Sequence, residues 1–496
     1  MYQALLTRRY LPSRVMPMLA MVAVVLCSAM VLTVWSVMGG FLQMLLDSGR
    51  VQIGDVILTR PVIGIPLYEE LISALEADPD IEAATGIIET PALLKYPYGI
   101  GIRTVQLVGV DGESYARVTE YADTVWWTPL AAPLPKDTQA QDRRLRIDPS
   151  YEHNGLALTE AHPYTGAQEP AIVMGVHVYT FNERTPGGWI EPTDLFMPDQ
   201  RVTISVLPLS DQGVAVDLTA REFPVANEFK SGLYEIDANR VLIRLDALQE
   251  MLSMDGGDRI GSDATLSVGD PNATSFPTPS VIGRDPARVT SVLVRGVDGT
   301  TEDQVKARVE AVFESFSREH ERAPSPNQVS IYTWQQQPGL AVFIGAVKKE
   351  TALVLVLFSF ISLTAVFLVF AIFWAMVSEK VRDIGILRAM GARRLGIAWI
   401  FVRYGLAIGS VGSVLGIGLA YLIVSNINPI HEWLGSALGI VVWDPTIYYF
   451  TTIPNNVNPL HVVIVWGGGV LFSVIGSLVP SYKAATLDPV RALRFE

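Results

Sequence analysis

Four long apolar segments stand out from the otherwise mixed pattern of polar and apolar positions in this chain of 496 residues. A helix that crosses a bilayer needs about 20 consecutive, mostly apolar residues. Four segments meet this requirement: 15–41, 351–378, 396–425 and 462–480. The pattern therefore predicts one N-terminal membrane helix, a large domain over 42–350, and three further membrane helices.

The first apolar segment could be compared with a signal peptide, because Arg8, Arg9 and Arg14 precede it. Its uncharged stretch is longer than the apolar region of such a peptide, which has roughly 7–15 residues, and no clear small-x-small cleavage site follows. We therefore interpret 15–41 as a retained membrane anchor.

Basic residues are concentrated in three segments that flank the membrane helices: 1–14, 379–395 and 481–496. These segments hold eleven lysine and arginine residues, whereas the loop 426–461 holds none. The positive-inside rule then predicts that both termini and 379–395 are cytoplasmic, and that the domain 42–350 and the loop are extracytoplasmic. Lys348 and Lys349 fall on the opposite side, where long side chains can snorkel to the headgroups.

The composition agrees with a membrane protein that has a large soluble part. Half of the residues are hydrophobic, 18% are charged and the mean hydropathy is +0.32. The net charge of −13 argues against nucleic-acid binding, because phosphate contacts need a basic face. Cys27 is the only cysteine, so an internal disulfide and a CxxC metal or redox site are both excluded.

The segment 42–350 contains two strand–helix–strand patterns. One is 52–87, and the other is 289–316 together with 328–334. In the second pattern one helical face is apolar, with Val305, Val309, Val312, Phe313 and Phe316. Two such units make a ferredoxin-like lobe, so the fold class is an α+β membrane protein.

A second, mostly β lobe is predicted between these two patterns, over 122–245. Its expected strands lie at 171–179 and 201–209. Within the lobe, 123–166 is rich in Trp, Pro and charge and is interpreted as an insertion. Beyond it, 269–280 has the composition of an exposed loop.

No enzyme motif is apparent, so no catalytic or metal-binding residue is predicted. A GxSxG nucleophile turn is absent. His431 and Glu432 begin like a zinc motif, but no second histidine follows at the required spacing. The adjacent Trp126 and Trp127 leave two interpretations open, core packing or contact with a lipid or peptide.

The stretch EKVRDIGILRAMGARR, at 379–394, places dense charge between two apolar segments. Apolar residues recur every third position, at Val381, Ile384, Leu387 and Met390, and Gly391 is placed to end a helix in the left-handed conformation. A short amphipathic helix is therefore predicted. It is either a charged connector in the headgroups or a docking element for a protein, and its mixed charge signs favour docking, since a lipid-facing helix favours Lys and Arg.

Four motifs together resemble the FtsX/MacB/Lol class of ABC transporter permeases. EKVRDIGILRAMGA resembles the signature of that class, and PSYKAATLDPVRALRFE, at 480–496, resembles its closing motif, in which a proline ends the last helix. VLTVWSVMGGF, at 31–41, and FKSGLYEIDANRVLIRLDALQEML, at 229–252, resemble the LolC/LolE lipoprotein-releasing branch. The expected location is the inner membrane of a bacterium, with the large domain periplasmic and resembling the MacB periplasmic core.

The resemblance implies that 379–395 is a coupling helix that fits a groove of a separate ATPase subunit. The chain has no GxxxxGK[ST] phosphate loop, so ATP and Mg²⁺ are expected on that partner and no cofactor on this chain. Gly385 would allow close approach, Ile384 and Leu387 would be apolar anchors, and Gly391 is equally explained as a helix stop. Residues matching the motif, and expected to contact the ATPase, are Glu379, Arg382, Asp383, Ile384, Gly385, Leu387, Arg388 and Gly391.

The third membrane segment carries glycines with small-xxx-small spacing, at Gly405, Gly409, Gly412 and Gly416. Such spacing lets helices approach closely. Two interpretations remain, packing against the second or fourth helix of the same chain, or contact with a partner permease, which the family supplies as a second copy or a homologue. Arg403 departs from the family pattern and is expected to snorkel to the interface.

The function implied by the resemblance is transmission of force, with lipoprotein release from the inner membrane as the first hypothesis. A periplasmic carrier would then be a partner, alongside the ATPase and membrane lipids. One alternative is a MacB-like exporter of peptides or drugs with a periplasmic adaptor. Another is an FtsX-like signalling protein that activates a cell-wall hydrolase.

Overall fold

The computed structural model describes residues 15–50, 53–99, 101–129, 149–179, 183–184, 190–191, 197–208, 217–260, 281–438, 453 and 457–488. The predicted cytoplasmic N-terminus (1–14) and exposed loop (269–280) lie outside these residues, as do the end of the C-terminal tail (489–496) and the middle of the predicted insertion (130–148). The described chain forms two compact units, a membrane unit and an outer unit. The outer unit covers essentially 45–342.

The described helices are α1 (Val15–Arg50), α2 (Tyr68–Glu76), α3 (Gly112–Val118), α4 (Tyr121–Thr124), α5 (Pro149–Ala157), α6 (Tyr234–Asn239), α7 (Leu245–Leu252), α8 (Glu302–Glu319), α9 (Pro338–Glu379), α10 (Val381–Ala389), α11 (Arg394–Ser425), α12 (Ile427–Leu438) and α13 (Pro459–Thr486).

The described strands are β1 (Val56–Thr59), β2 (Ile65–Pro66), β3 (Ile81–Lys95), β4 (Ile102–Val110), β5 (Thr159–Ala161), β6 (Gln168–Pro170), β7 (Ile172–Gly175), β8 (Glu183–Arg184), β9 (Ile190–Glu191), β10 (Arg201–Val206), β11 (Thr219–Phe229), β12 (Arg240–Arg244), β13 (Gly257–Ile260), β14 (Val281–Asp285), β15 (Arg288–Val289), β16 (Ser291–Gly296) and β17 (Ser330–Thr333).

The first lobe of the outer unit is an antiparallel sheet in the order β17-β1-β16-β3. With α2 between β1 and β3, and α8 between β16 and β17, this is the interleaved order of a ferredoxin-like lobe. Helix α8 begins with a capping box formed by Thr301 and Gln304 and buries Val305, Val309 and Phe313 against the sheet. The predicted ferredoxin-like lobe is confirmed.

The second lobe closes into a six-stranded β-barrel. The second half of β3 pairs with β4, and the ring continues through β12, β7, β11 and β10 back to β3. Alternate residues of these strands are fully buried in one apolar cluster, among them Leu94, Leu107, Met174, Ile204 and Val241. Side chains therefore fill the interior, as expected for so small a barrel.

This barrel takes strands from outside the predicted range of the second lobe. Strands β7, β10, β11 and β12 fall within 122–245, but β4 and all of β3 precede residue 122. Strand β3 is 15 residues long, and its two halves pair in different lobes. The insertion interpreted at 123–166 includes a helix, α5, and the short hairpin strand β5.

Among its described residues, the membrane unit has four helices that are long and apolar enough to span a bilayer: Pro17–Met44 of α1, Ile344–Glu379 of α9, and the whole of α11 and α13. One lies N-terminal and three C-terminal to the outer unit, so the predicted layout is confirmed. Within the loop predicted at 426–461, the described residues include a helix, α12.

The prediction that Pro480 ends the last helix is wrong, because α13 continues to Thr486 with this proline in its interior. A proline inside a helix leaves the carbonyl four residues earlier without its backbone donor. At the next residue the helix is regular enough for the Ser481 hydroxyl to donate to the Ser477 carbonyl at 2.6 Å.

Candidate coupling surface

The stretch 379–394 forms a separate short helix between two candidate membrane helices. Helix α9 ends at Glu379, and the backbone of Lys380 leaves helical geometry, with φ −100° and ψ 10°. Helix α10 follows, and the Lys380 ammonium donates to the Asp383 carboxylate at 2.7 Å. Gly391 ends the helix with φ 93°, the left-handed conformation expected of a helix stop.

One face of α10 packs against its own chain. The Ile384 side chain is only 3% exposed and Gly385 is buried. Ile384 belongs to an apolar cluster with Phe373 and Val377 of α9, and with residues of α1, α11 and α13. The predicted role of Ile384 as an anchor for a partner therefore conflicts with its position, since this side chain fixes α10 to the membrane unit.

The opposite face of α10 is exposed and carries both charge signs and apolar side chains. Arg382 and Asp383 are exposed, Ile386 is 44% exposed and Met390 is 72% exposed. Because these residues recur at intervals of three and four, the three in α10 share one face with Met390, which directly follows the last residue of the helix. We call Arg382, Asp383, Ile386 and Met390 the coupling face.

The other predicted contact residues lie beside this face or behind it. Glu379 is exposed at the end of α9, whereas Leu387 and Arg388 are half-buried. The Arg388 guanidinium donates to the Ala392 carbonyl at 3.3 Å, beyond the end of α10. Ile386 was not predicted as a contact residue, and the period of three placed Met390 on the same face as Ile384, which is buried in the structure. The helical positions of the exposed Arg382 and Asp383 could have indicated that Ile386 and Met390 lie beside them.

The four glycines predicted to pack, Gly405, Gly409, Gly412 and Gly416, all face helices of the same chain. A Cβ on Gly405 would lie 2.5 Å from the Ser477 hydroxyl, and one on Gly409 would lie 2.9 Å from Val470 Cα, both in α13. A Cβ on Gly412 would lie 3.0 Å from Val24 Cβ, and one on Gly416 would lie 2.6 Å from the Val25 carbonyl oxygen, both in α1. These glycines therefore allow α11 to pack closely against α13 and α1 of the same chain.

Arg403 lies on the exposed side of α11. Its guanidinium carbon is 5.7 Å from the centre of the Trp399 ring, one helical turn earlier. Such an arrangement is typical of a cation over an aromatic face.

In the outer unit, Trp126 and Trp127 pack rather than form an open binding site. Trp127 is 5% exposed, and its indole N–H donates to the Glu228 carboxylate at 2.7 Å. The Lys230 ammonium lies 4.8 Å from the Trp126 ring centre. The fully buried Asn227 accepts from the Trp127 backbone N–H at 3.0 Å. Among the described residues, no group of three or more His, Cys, Asp or Glu could hold a metal ion.

The GLYEID motif at 232–237 forms a turn held by a buried carboxylate. Asp237 is 2% exposed and accepts from the Ser231 backbone N–H and hydroxyl, both at 2.7 Å, and from the Gly232 N–H at 3.2 Å. Gly232 has φ 88°, which favours glycine at this turn. Burial raises the pKa of Asp237 to about 6, against the opposing effect of the Ser231 hydrogen bonds.

Residues 355–489 match the family described as FtsX-like permease C-terminal. This region includes most of α9, all of α10 and α11, and α13. The chain therefore has a C-terminal region similar to this permease family together with four candidate membrane helices among its described residues, which agrees with the resemblance of its motifs to ABC transporter permeases of the FtsX, MacB and Lol types.

Within that class the chain is similar to lipoprotein-releasing and export permeases. It is 23% identical over 276 residues to the lipoprotein-releasing system transmembrane protein LolC of Xylella fastidiosa, a match that covers 56% of each chain. The chain thus spans about half the length of this relative. It is 29% identical over 120 residues to the macrolide export ATP-binding/permease protein MacB of Hyphomonas neptunium, which is 24% of this chain and 15% of that protein.

Among solved structures, the periplasmic region of MacB from Actinobacillus actinomycetemcomitans matches 59% of this chain and 94% of its own length. The sequence identity is 8% and the TM-score is 0.29.

Proposed function

We propose that this chain is the non-catalytic permease subunit of an ABC transporter, in which a separate ATPase subunit binds the coupling face of α10. The observation that carries the proposal is an exposed face of mixed charge and apolar residues on a short helix between two candidate membrane helices. This helix lies inside the region that matches the permease family. ATP and Mg²⁺ would bind the partner, because the sequence has no GxxxxGK[ST] loop.

The contact would differ in detail from the one expected from the motif alone. Ile386 and Met390 are the exposed apolar side chains, and Arg382 and Asp383 are the exposed charges beside them. Apolar anchors surrounded by polar groups are typical of the residues that dominate protein interfaces. Ile384 and Gly385 would act behind this surface by transmitting movement of α10 to the helices on which they pack.

The orientation required by this proposal is the one that the basic residues favour, with α10 in the cytoplasm. A second permease, either a copy of this chain or a homologue, would complete the membrane part. Gly405, Gly409, Gly412 and Gly416 would not contribute to that contact, since all four face the same chain.

Co-purification and ATPase assays test the proposal. The full chain, solubilised from its native host and purified by affinity, should bring down an ATPase whose ATP hydrolysis it stimulates. Ile386→Asp should place an uncompensated charge at the contact and remove most of the stimulation. Val297→Asp, at an outer-unit residue that is 40% exposed, is the matched control and should leave it unchanged. Purification without any ATPase, or stimulation that survives Ile386→Asp, would contradict the proposal.

For the cargo, lipoprotein release is the first candidate, supported by the similarity to LolC over 56% of this chain. Export of a small molecule or peptide is the second candidate, supported by the shorter similarity to a macrolide export protein. The proteins that co-purify distinguish the two. A lipoprotein or a lipoprotein carrier would favour release, a periplasmic adaptor would favour export, and a cell-wall hydrolase would favour signalling instead.

A further inference from the structure

Each of the four membrane helices carries a serine near the middle of its span. These are Ser28 in α1, Ser362 in α9, Ser413 in α11 and Ser473 in α13. All four are buried within the membrane unit. A polar group in the hydrocarbon region has no bulk water to bond, so it is costly unless the protein or a bound molecule satisfies it.

The direct contacts of these serines are long, and one serine has none. The Ser28 and Ser413 hydroxyl oxygens are 3.5 Å apart, and the Cys27 sulfur is 3.7 Å from the Ser362 hydroxyl oxygen. Hydrogen bonds between hydroxyls are normally about 2.7–2.8 Å long, so the Ser28–Ser413 bond is weak, whereas contacts to the larger sulfur atom are normally longer. Ser473, which is 1% exposed, has no hydrogen-bond partner for its hydroxyl among the described residues.

A cavity of about 20 Å³ lies between α1, α9 and α13, next to three of these serines and Cys27. Its polar lining consists of Cys27, Ser28, Ser362 and Ser473, and the remaining lining is apolar or glycine. A water molecule needs a cavity of about 10–15 Å³ and two to four polar partners. The cavity is therefore large enough for one water and offers enough partners.

The glycine beside the cavity keeps this space open. A Cβ on Gly469 would lie 2.0 Å from the Ser413 hydroxyl oxygen and 3.2 Å from that of Ser28. Any side chain at this position would push the two serines away from the centre. The sequence thus provides both the hydroxyl groups and the room between them.

We propose that one water molecule occupies this cavity and bridges the Ser473 hydroxyl to Ser28, Ser362 and Cys27. The bundle is then joined at the middle of the membrane by a hydrated polar contact. The site accepts water rather than a larger ligand because the cavity has no more room.

Cys27 provides a direct probe, because it is the only cysteine in the chain and it lines the cavity. Subtracting the infrared spectrum of Cys27→Ser from that of the full chain isolates the S–H stretching band of Cys27. This band should convert to S–D after transfer into D₂O, because the proposed water exchanges its protons with the thiol. The band should also shift in Ser473→Ala. It should not shift in Ser477→Ala, a matched control in the same helix whose hydroxyl donates to the Val474 carbonyl at 2.8 Å. An S–H band that persists in D₂O would overturn the proposal.

Thermal unfolding provides an independent test, because a hydrated cavity and a dry cavity predict opposite changes in Tm for Ser473→Ala. If water bridges Ser473, Ser473→Ala removes a hydrogen bond and should lower the Tm by about 2–4 °C. If the cavity is dry, the same change removes an unsatisfied buried hydroxyl and should raise the Tm. An increase would therefore overturn the proposal.

Discussion

A pair of glycines in α11 offers a sharp test of the packing of the membrane unit. Gly416 and Gly418 lie two residues apart in the same helix, but they face different surroundings. A Cβ on Gly416 would lie 2.6 Å from the Val25 carbonyl oxygen and 2.8 Å from Ser28 Cβ, in α1. A Cβ on Gly418 would meet no heavy atom within 4 Å.

The expected magnitude follows from two opposing effects of a glycine-to-alanine change. In both variants, alanine favours the helix by about 1 kcal/mol. In Gly416→Ala the new methyl group meets backbone that can move only with the whole of α1, and such overpacking costs about 1–3 kcal/mol. Because the helix effect is common to both variants, the difference between them should be about 1–3 kcal/mol, with Gly416→Ala the less stable.

The assay is thermal unfolding of the full chain in detergent, followed by light scattering and tryptophan fluorescence. Gly418→Ala should leave the Tm unchanged or raise it, and Gly416→Ala should lower it by several degrees. Equal Tm values for the two variants would refute the close contact between α1 and α11. Loss of a permease–permease complex without loss of monomer stability would instead show that Gly416 faces a partner.

Three further outcomes are expected. The pKa of Asp237 is about 6 in the folded chain, above its ordinary value of 3.8, so the folded chain holds this proton more tightly than the unfolded chain does. The stability of the outer unit should therefore fall by about 3 kcal/mol as the pH rises from about 4 to about 6. Thermal scans across that pH range should show a decrease in Tm that Asp237→Asn removes. The same dependence of Tm on pH in the unchanged chain and in the variant would contradict this prediction. A cysteine introduced as Met390→Cys in a Cys27→Ser background should react with a membrane-impermeant thiol reagent only after the cells are opened, and labelling of intact cells would reverse the proposed orientation. Trp127→Phe should destabilise the outer unit by about 1–3 kcal/mol, measured by urea unfolding, because it leaves the buried Glu228 carboxylate without the indole donor; an unchanged midpoint would mean that this bond contributes little.

The features predicted well from sequence are those that a local pattern determines. Four apolar segments give four membrane helices, because the length of an apolar run and the thickness of a bilayer are directly comparable. The apolar face of α8 identifies the helix that covers the ferredoxin-like sheet, since burial there follows the helical period.

The features that were missed depend on contacts between distant parts of the chain. Strand β3 pairs with β16 through one half and with β4 through the other, and nothing in its own residues indicates where the change occurs. Closure of the barrel depends on the pairing of β10 with β3, more than 100 residues apart.

The candidate site shows the same limit. The motif identified α10, but its apolar period could not show which face the bundle would cover. Ile384 turned inward because Phe373, Val377 and the neighbouring helices leave an apolar surface for it, and Ile386 was left exposed. Pro480 was misjudged because a local rule, that proline ends a helix, does not hold where the surrounding bundle supports the helix beyond it.

The measurement that tests the central claim most directly is site-specific photo-crosslinking from α10 in the native host. A photoreactive residue at Ile386, on the exposed face, should give a crosslinked product that contains an ATPase, and the same residue at Ile384, on the buried face, should not. A crosslink to an ATPase from Ile384 alone would reverse the assignment of the two faces. No ATPase in either product would contradict the claim that α10 couples this permease to ATP hydrolysis.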